Sequence, residues 1–189
     1  MSEITSSGKA SGGELEERVD LTSETDAKLE QSSTLAKNGQ LKEALALLAA
    51  LEKRCRVGND TDSLVRVCEA SLQYCKDARD DETLITTLQT LATRRSQKTK
   101  AIRALVQKAL PWCVVDSYIP FPTTNKEEKD ARDKLVVALR DISDGKIFLE
   151  GERARLTRAL ATIKVSTLCM CILRELSLFL GCGSFCTSK

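Results

Sequence analysis

There is no histidine among the 189 residues. Ser-His and Cys-His catalytic pairs and histidine metal sites are therefore excluded, and most hydrolase mechanisms go with them. Aromatic residues make up 4% of the chain and prolines number three. Sheets draw on aromatic and β-branched side chains, so this scarcity, together with 30% charged residues, points to an all-helical protein. No basic segment followed by an apolar stretch opens the sequence: MSEITSSGKASGGE is polar and has no secretory pattern. The eight cysteines are accordingly expected in a reducing setting, as small buried hydrophobes and not as disulfides. A glycine-rich phosphate loop is missing too, since Gly181-x-Gly183 has neither the lysine nor the following helix. The net charge of +2 does not by itself imply nucleic acid or an acidic membrane. Residues 1–34, however, hold eight acids against three bases, and residues 1–25 are expected to be a loose, polar, acidic segment.

Present instead is a succession of helical stripes. A short helix over about 26–37 is stopped by Asn38-Gly39, which supplies a left-handed position. In the next, Leu41, Ala44, Leu45, Leu48, Leu51 and Cys55 recur at three- and four-residue steps, with Lys42, Glu43, Glu52 and Lys53 assigned to the water side. Helix, Asn-Gly turn and helix make an αα-hairpin. Gly58-Asn59-Asp60 breaks the chain before a helix to about Ala78, in which Leu64, Cys68, Leu72 and Cys75 form one stripe. Asp80-Asp81-Glu82 place negative charge at the start of a helix reaching Thr93, where the macrodipole favours it. A helix from Ser96 to about Ser117 is predicted to kink at Pro111, and Ile119 to Asn125 reads as a loop. Two more helices span about 126–143 and from near Lys146 to Lys164. Hairpins of about 35 to 40 residues, each with one apolar stripe, describe an all-α solenoid of antiparallel, tetratricopeptide-like hairpins over 26–164. Periodicity alone does not separate this from a compact helical bundle.

Candidate contact residues come from two charge patterns. Arg94, Arg95, Lys98, Lys100, Arg103 and Lys108 lie in a stretch without an acid from Thr93 to Val115, suited to a phosphate backbone or an acidic partner surface. Only Trp112 could stack a base there, which favours protein over nucleic acid. Arg153, Arg155 and Arg158 alternate with Glu150 and Glu152 at helical spacing, as in ion pairs or a subunit interface. No catalytic, cofactor-binding or small-molecule site is expected. After Lys164 the usage changes: Cys169, Cys171, Cys182 and Cys186 crowd into an apolar tail, 165–189. Arg174-Glu175 interrupts the apolar stretch, and a charge at a helix centre costs about 2.5 to 3.5 kcal/mol on insertion scales, which argues against a membrane anchor. The close spacing of Cys169 and Cys171 and their apolar setting argue against zinc, and a terminal lysine against prenylation.

The segments LAKNGQLKEALALLAALEK, LATRRSQKTKAI and DGKIFLEGERARLTRALATIK, with RRSQ at 94–97 and ERARLT at 152–157, carry a resemblance. In order and spacing, over about 26–164, they are similar to the N-terminal helical repeats of the proteasome non-ATPase regulatory subunit 12 family. The resemblance implies a right-handed solenoid. It also implies a non-catalytic scaffold role among proteasome lid subunits, in ubiquitin-dependent degradation, in the cytoplasm and nucleus. The related signalosome subunit and an independent helical adaptor or tail-anchored protein are the alternatives. The family continues into further repeats and a PCI domain; this sequence shows none of that and departs after Lys164, as a non-homologous ending would. Gly151 is a further departure, in a helix where glycine costs about 1 kcal/mol relative to alanine.

Overall fold

The computed structural model describes residues 19–115, 119–120 and 125–181. The first four helices are α1 (Thr22–Lys37), α2 (Leu41–Val57), α3 (Thr61–Asp77) and α4 (Asp81–Thr93). The three turns that join them share one local chemistry. Each helix ends with a left-handed residue, Gly39 at φ 80°, Asn59 at 56° and Arg79 at 55°. The following amide then donates back five residues along the chain: Gln40 N to Leu35 O at 3.0 Å, Asp60 N to Cys55 O at 3.0 Å, Asp80 N to Cys75 O at 3.2 Å. These are Schellman closures, which satisfy carbonyls left over at a helix end. At the second break the left-handed residue is Asn59; Gly58 keeps φ at −75°. Arg79 accepts a cost of roughly 1 kcal/mol for a conformation glycine takes freely. The residue that closes one helix also opens the next. Asp60 and Asp80 accept from the amides of Ser63 and Thr83, so the chain reverses with no spacer. The Asp80 carboxyl is held below the usual range by the Thr83 hydroxyl and amide.

α5 (Thr99–Ala109) ends sooner than the apolar stripe predicts. Pro111 does not kink a longer helix; it terminates this one. Lacking an N–H and clashing with the carbonyl four residues back, it turns Leu110–Trp112 into a single 3₁₀ turn. The chain then enters a two-residue ribbon, β1 (Val114–Val115) antiparallel to β2 (Ile119–Pro120), in register Val114↔Pro120 and Val115↔Ile119. Part of the segment read as loop is therefore paired. α6 (Lys126–Ser143) has the bounds expected, with Asn125 as its cap. A 3₁₀ turn, Ile147–Leu149, leads into α7 (Glu150–Gly181).

Packing makes the solenoid. Each helix packs on its neighbour, and α1 on α3, α3 on α5 and α4 on α6 as well. The packed pairs are neighbours or next-neighbours along the chain, an arrangement that grows by stacking and does not close first helix on last. Leu48, Leu51 and Cys55 of α2 join Leu64, Val67, Cys68, Leu72 and Cys75 of α3 in one continuous core. This core extends through Leu88, Leu105 and Leu139 to Leu156 and Ala159 of α7.

Two further expectations change. Glu52, assigned to the water side of α2, is 1% exposed. Residues 19–25, assigned to the loose N-terminus, are held. Val19 N donates to Gly58 O, Leu21 N to the buried carboxylate of Asp60, and the first turn of α1 is helical. The compositional seam at Lys164–Val165 carries no helix-stop signal, and α7 crosses it as one helix. Val165 and Leu168 on that extension are exposed. No helix among the described residues is long and apolar enough to cross a membrane. The expectations for 1–18, 116–118, 121–124 and 182–189, with Cys182 and Cys186, lie outside the described residues.

Cys55, Cys68, Cys75 and Cys113 are buried, and Cys169 is exposed. Burial pushes the Cys68 and Cys113 thiols up to about 12. Iodoacetamide at pH 8 should therefore modify Cys169 in the native protein and the four core cysteines only after denaturation. Mapping the alkylated peptides checks this; rapid native labelling of Cys68 would contradict it.

Candidate partner-binding surface

The basic run from Arg94 to Arg103 sits on the link between α4 and α5, the one early link that is not a Schellman closure. Arg94 leaves α4 in an extended conformation, Ser96 takes φ 60°, and Gln97 N closes on Arg94 O at 3.2 Å. This turn brings side chains back onto α2. Gln97 Nε2 donates to Glu52 Oε1 at 3.2 Å and to Leu91 O at 2.9 Å. Arg56, one turn beyond Glu52 on α2, donates to the same Oε1 at 3.1 Å and to Arg95 O at 2.9 Å. The Arg94 Nε lies 3.5 Å from Glu52 Oε2, an ion pair without the geometry of a hydrogen bond. The RRSQ segment is thus turned inward, around a buried carboxylate.

The neighbouring cations serve the same end. Lys100 of α5 pairs with Asp62 of α3, as Arg66 of α3 pairs with Asp26 of α1. Arg103 donates to Phe148 O at 3.3 Å, its guanidinium 5.8 Å from that ring's centroid, and Gln107 donates to Glu152 of α7 at 3.0 Å. Each contact joins one helix to an element about one hairpin further along. Three of the six basic residues, Arg94, Lys100 and Arg103, are therefore drawn into rungs between repeats. Arg95 presents an exposed side chain, while Lys98 is half-buried at the N-cap of α5. In the second cluster Arg153 lies 3.6 Å from both Asp144 and Glu150, and Arg155 and Arg158 are exposed on α7. Of the nine cations, Arg95, Lys100, Arg103, Arg155 and Arg158 are exposed, Lys100 and Arg103 while contacting a neighbouring element, and Lys108 is half-buried.

Glu52 is the residue that sequence reasoning missed. It falls one position after Leu51 and four after Leu48, at the margin of the apolar stripe, and that placement was the available signal. A larger cavity of about 640 Å³ lies between the α3–α4 turn and the start of α6, with Trp112 under the Lys76 ammonium at 6.0 Å and charges of both signs at its rim. Among the described residues no group of three or more acids and cysteines is placed to hold a metal ion. The hydroxyl–thiol contacts, Thr25 with Cys55 and Cys75 with Thr87, are each 3.9 Å long, and their thiols are raised by burial. They are packing contacts and not nucleophile–base pairs.

The family described as PSMD12/CSN4, N-terminal, matches residues 43–168. The match includes Glu52, the RRSQ turn and the arginines of α7, and it runs past the compositional seam. The 26S proteasome non-ATPase regulatory subunit 12 of Dictyostelium discoideum is 36% identical over 145 residues, 77% of this chain and 30% of that protein. Homolog A of the same subunit in Arabidopsis thaliana is 32% identical over 127 residues, 67% of this chain and 26% of its own length. The 26S proteasome regulatory subunit rpn501 of Schizosaccharomyces pombe is 30% identical over 142 residues, 75% and 30% respectively. The chain thus spans less than a third of the length of these curated relatives.

Truncating one partner of a buried ion pair leaves the other charge uncompensated, at a cost of about 3 to 5 kcal/mol. Glu52→Ala should therefore lower the urea unfolding free energy by about that much. Lys100→Ala, in an exposed pair, should change it by less than about 1 kcal/mol. Equal effects of the two substitutions would contradict the account of the node.

Proposed function

The chain belongs to the PSMD12/CSN4 N-terminal family, and from that membership we propose that it acts as a non-catalytic scaffold, the N-terminal helical array of a proteasome regulatory-particle lid subunit. The carrying observation is the family match itself, over residues 43–168. In support, that stretch is a laced stack of helices whose polar side chains bind one another across repeats, leaving helix surfaces for partners. A solenoid of this kind offers an extended face for protein contacts and no enclosed reaction chamber. Other lid subunits are the proposed partners, ubiquitin-dependent protein degradation the proposed process, and cytoplasm and nucleus the proposed locations. Arg95, Arg155 and Arg158 are the proposed contact residues, because their side chains are exposed. The proposed division of labour keeps 26–164 as the scaffold and 165–189 as a separate tail, although α7 joins them as one helix.

A second reading follows from the family's description, which covers the signalosome relative as well as the proteasome subunit. In that reading the same array scaffolds a signalosome. Quantitative mass spectrometry of proteins co-purified with the tagged chain separates the two. Enrichment of proteasome lid subunits is expected, reduced severalfold by the double charge reversal Arg155→Glu and Arg158→Glu. Enrichment of signalosome subunits, or of neither assembly, would overturn the lid assignment.

A further inference from the structure

Between α2 and α4 the array leaves a cleft of about 160 Å³. Two uncharged stretches create it. In a chain with 30% charged residues, α2 carries no charge from Ala44 to Leu51 and α4 none from Thr83 to Thr93. Leu45, Leu48 and Leu91 form its apolar walls, Thr86 and Thr90 lie at its exposed rim, and Arg94 closes one end. Among the described residues lining it, Arg94 alone is charged. The electrostatics at that end do not balance. The single carboxylate of Glu52 faces two guanidiniums, Arg56 and Arg94, and accepts a hydrogen bond from Gln97 besides. One positive charge is in excess there, and the Arg94 side chain is 28% exposed.

We propose that this cleft is a docking site for a partner polypeptide that inserts one aliphatic side chain between α2 and α4 and sets an adjacent carboxylate on Arg94. The volume decides the class of occupant. Cofactor and small-molecule sites run from about 300 to 1,000 Å³, whereas this cleft takes a single leucine-sized group, the scale of one anchor residue at a protein interface. The charge decides its neighbour, because a guanidinium against a partly apolar wall favours a carboxylate over any neutral group. This deepens the proposed scaffold role by naming the chemistry of one partner contact. Its test uses no lid protein, so its failure leaves the lid assignment standing and the reverse also holds.

The test is a methyl- and amide-detected NMR titration of the full chain with N-acetyl-leucyl-aspartate amide, alongside the leucyl-asparagine analogue. Saturable shifts at the Leu45, Leu48 and Leu91 methyls are expected, with roughly tenfold weaker binding of the asparagine compound. Thr90→Trp, on an exposed position, should fill the cleft and abolish the shifts while leaving the circular dichroism unchanged. The proposal is overturned by an absence of saturable shifts, by equal affinity for the two compounds, or by shifts that survive Thr90→Trp. It is equally overturned if the same methyls respond to protein concentration alone, which would make a second copy of the chain the occupant.

Discussion

Glu52 carries a carboxylate into a helix–helix contact where 1% of its side chain meets solvent, and the surrounding array is arranged to answer it. Left uncompensated, a buried charge of this kind costs several kcal/mol. Its own helix supplies one partner, Arg56; the other two, Arg94 and Gln97, must come from the α4–α5 link. That requirement fixes the link. The turn cannot repeat the Schellman closure used three times before it, and takes instead a conformation with Ser96 at φ 60° that aims Arg94 and Gln97 back at α2. The start of α5, and with it the stacking of α5 on α3, follows from where that turn ends.

Magnitudes sort the other contacts. The pairs Asp26–Arg66 and Asp62–Lys100 join helices of one layer, but they are exposed and contribute within about 1 kcal/mol each. Buried leucines such as Leu48, Leu72 and Leu105 contribute about 1.5 to 3 kcal/mol apiece by leaving water. Cohesion is therefore apolar, while the polar rungs and the Glu52 node select which repeat sits against which. In the proposed scaffold role that selection matters more than raw stability, since a scaffold holds surfaces at fixed spacing.

Much of this was legible along the chain because the relevant physics is local. Apolar spacing and turn residues located seven helices among the described residues, and Asp80 marked a start that the structure keeps. The failures share one cause. Glu52 reads with Lys42 and Lys53 because glutamate is costly to bury alone; Arg56 is four residues on, but its other two partners, Arg94 and Gln97, lie 42 and 45 residues further along. The basic run reads as one patch for the same reason: of six cations close in sequence, Arg94, Lys100 and Arg103 are drawn apart in space to α2, α3 and the α6–α7 link. Pro111 and Asn59 were subtler. Both were recognised as breaks, but whether a break kinks or ends a helix, and which of two residues turns left-handed, depends on packing downstream. The change of composition after Lys164 was real, yet α7 passes through it because helix geometry is indifferent to the swap of charged for apolar side chains.

The most direct test of the claim that Glu52 sets the link between repeats is native-state hydrogen exchange on Glu52→Gln, which keeps the shape and removes the charge. The account predicts selective loss of protection at the amides of Gln97 and Ile102, bonded to Arg94 O and Lys98 O, while the interior of α3 remains protected. Unchanged protection at residues 97–102, or a uniform loss through every helix, would contradict it.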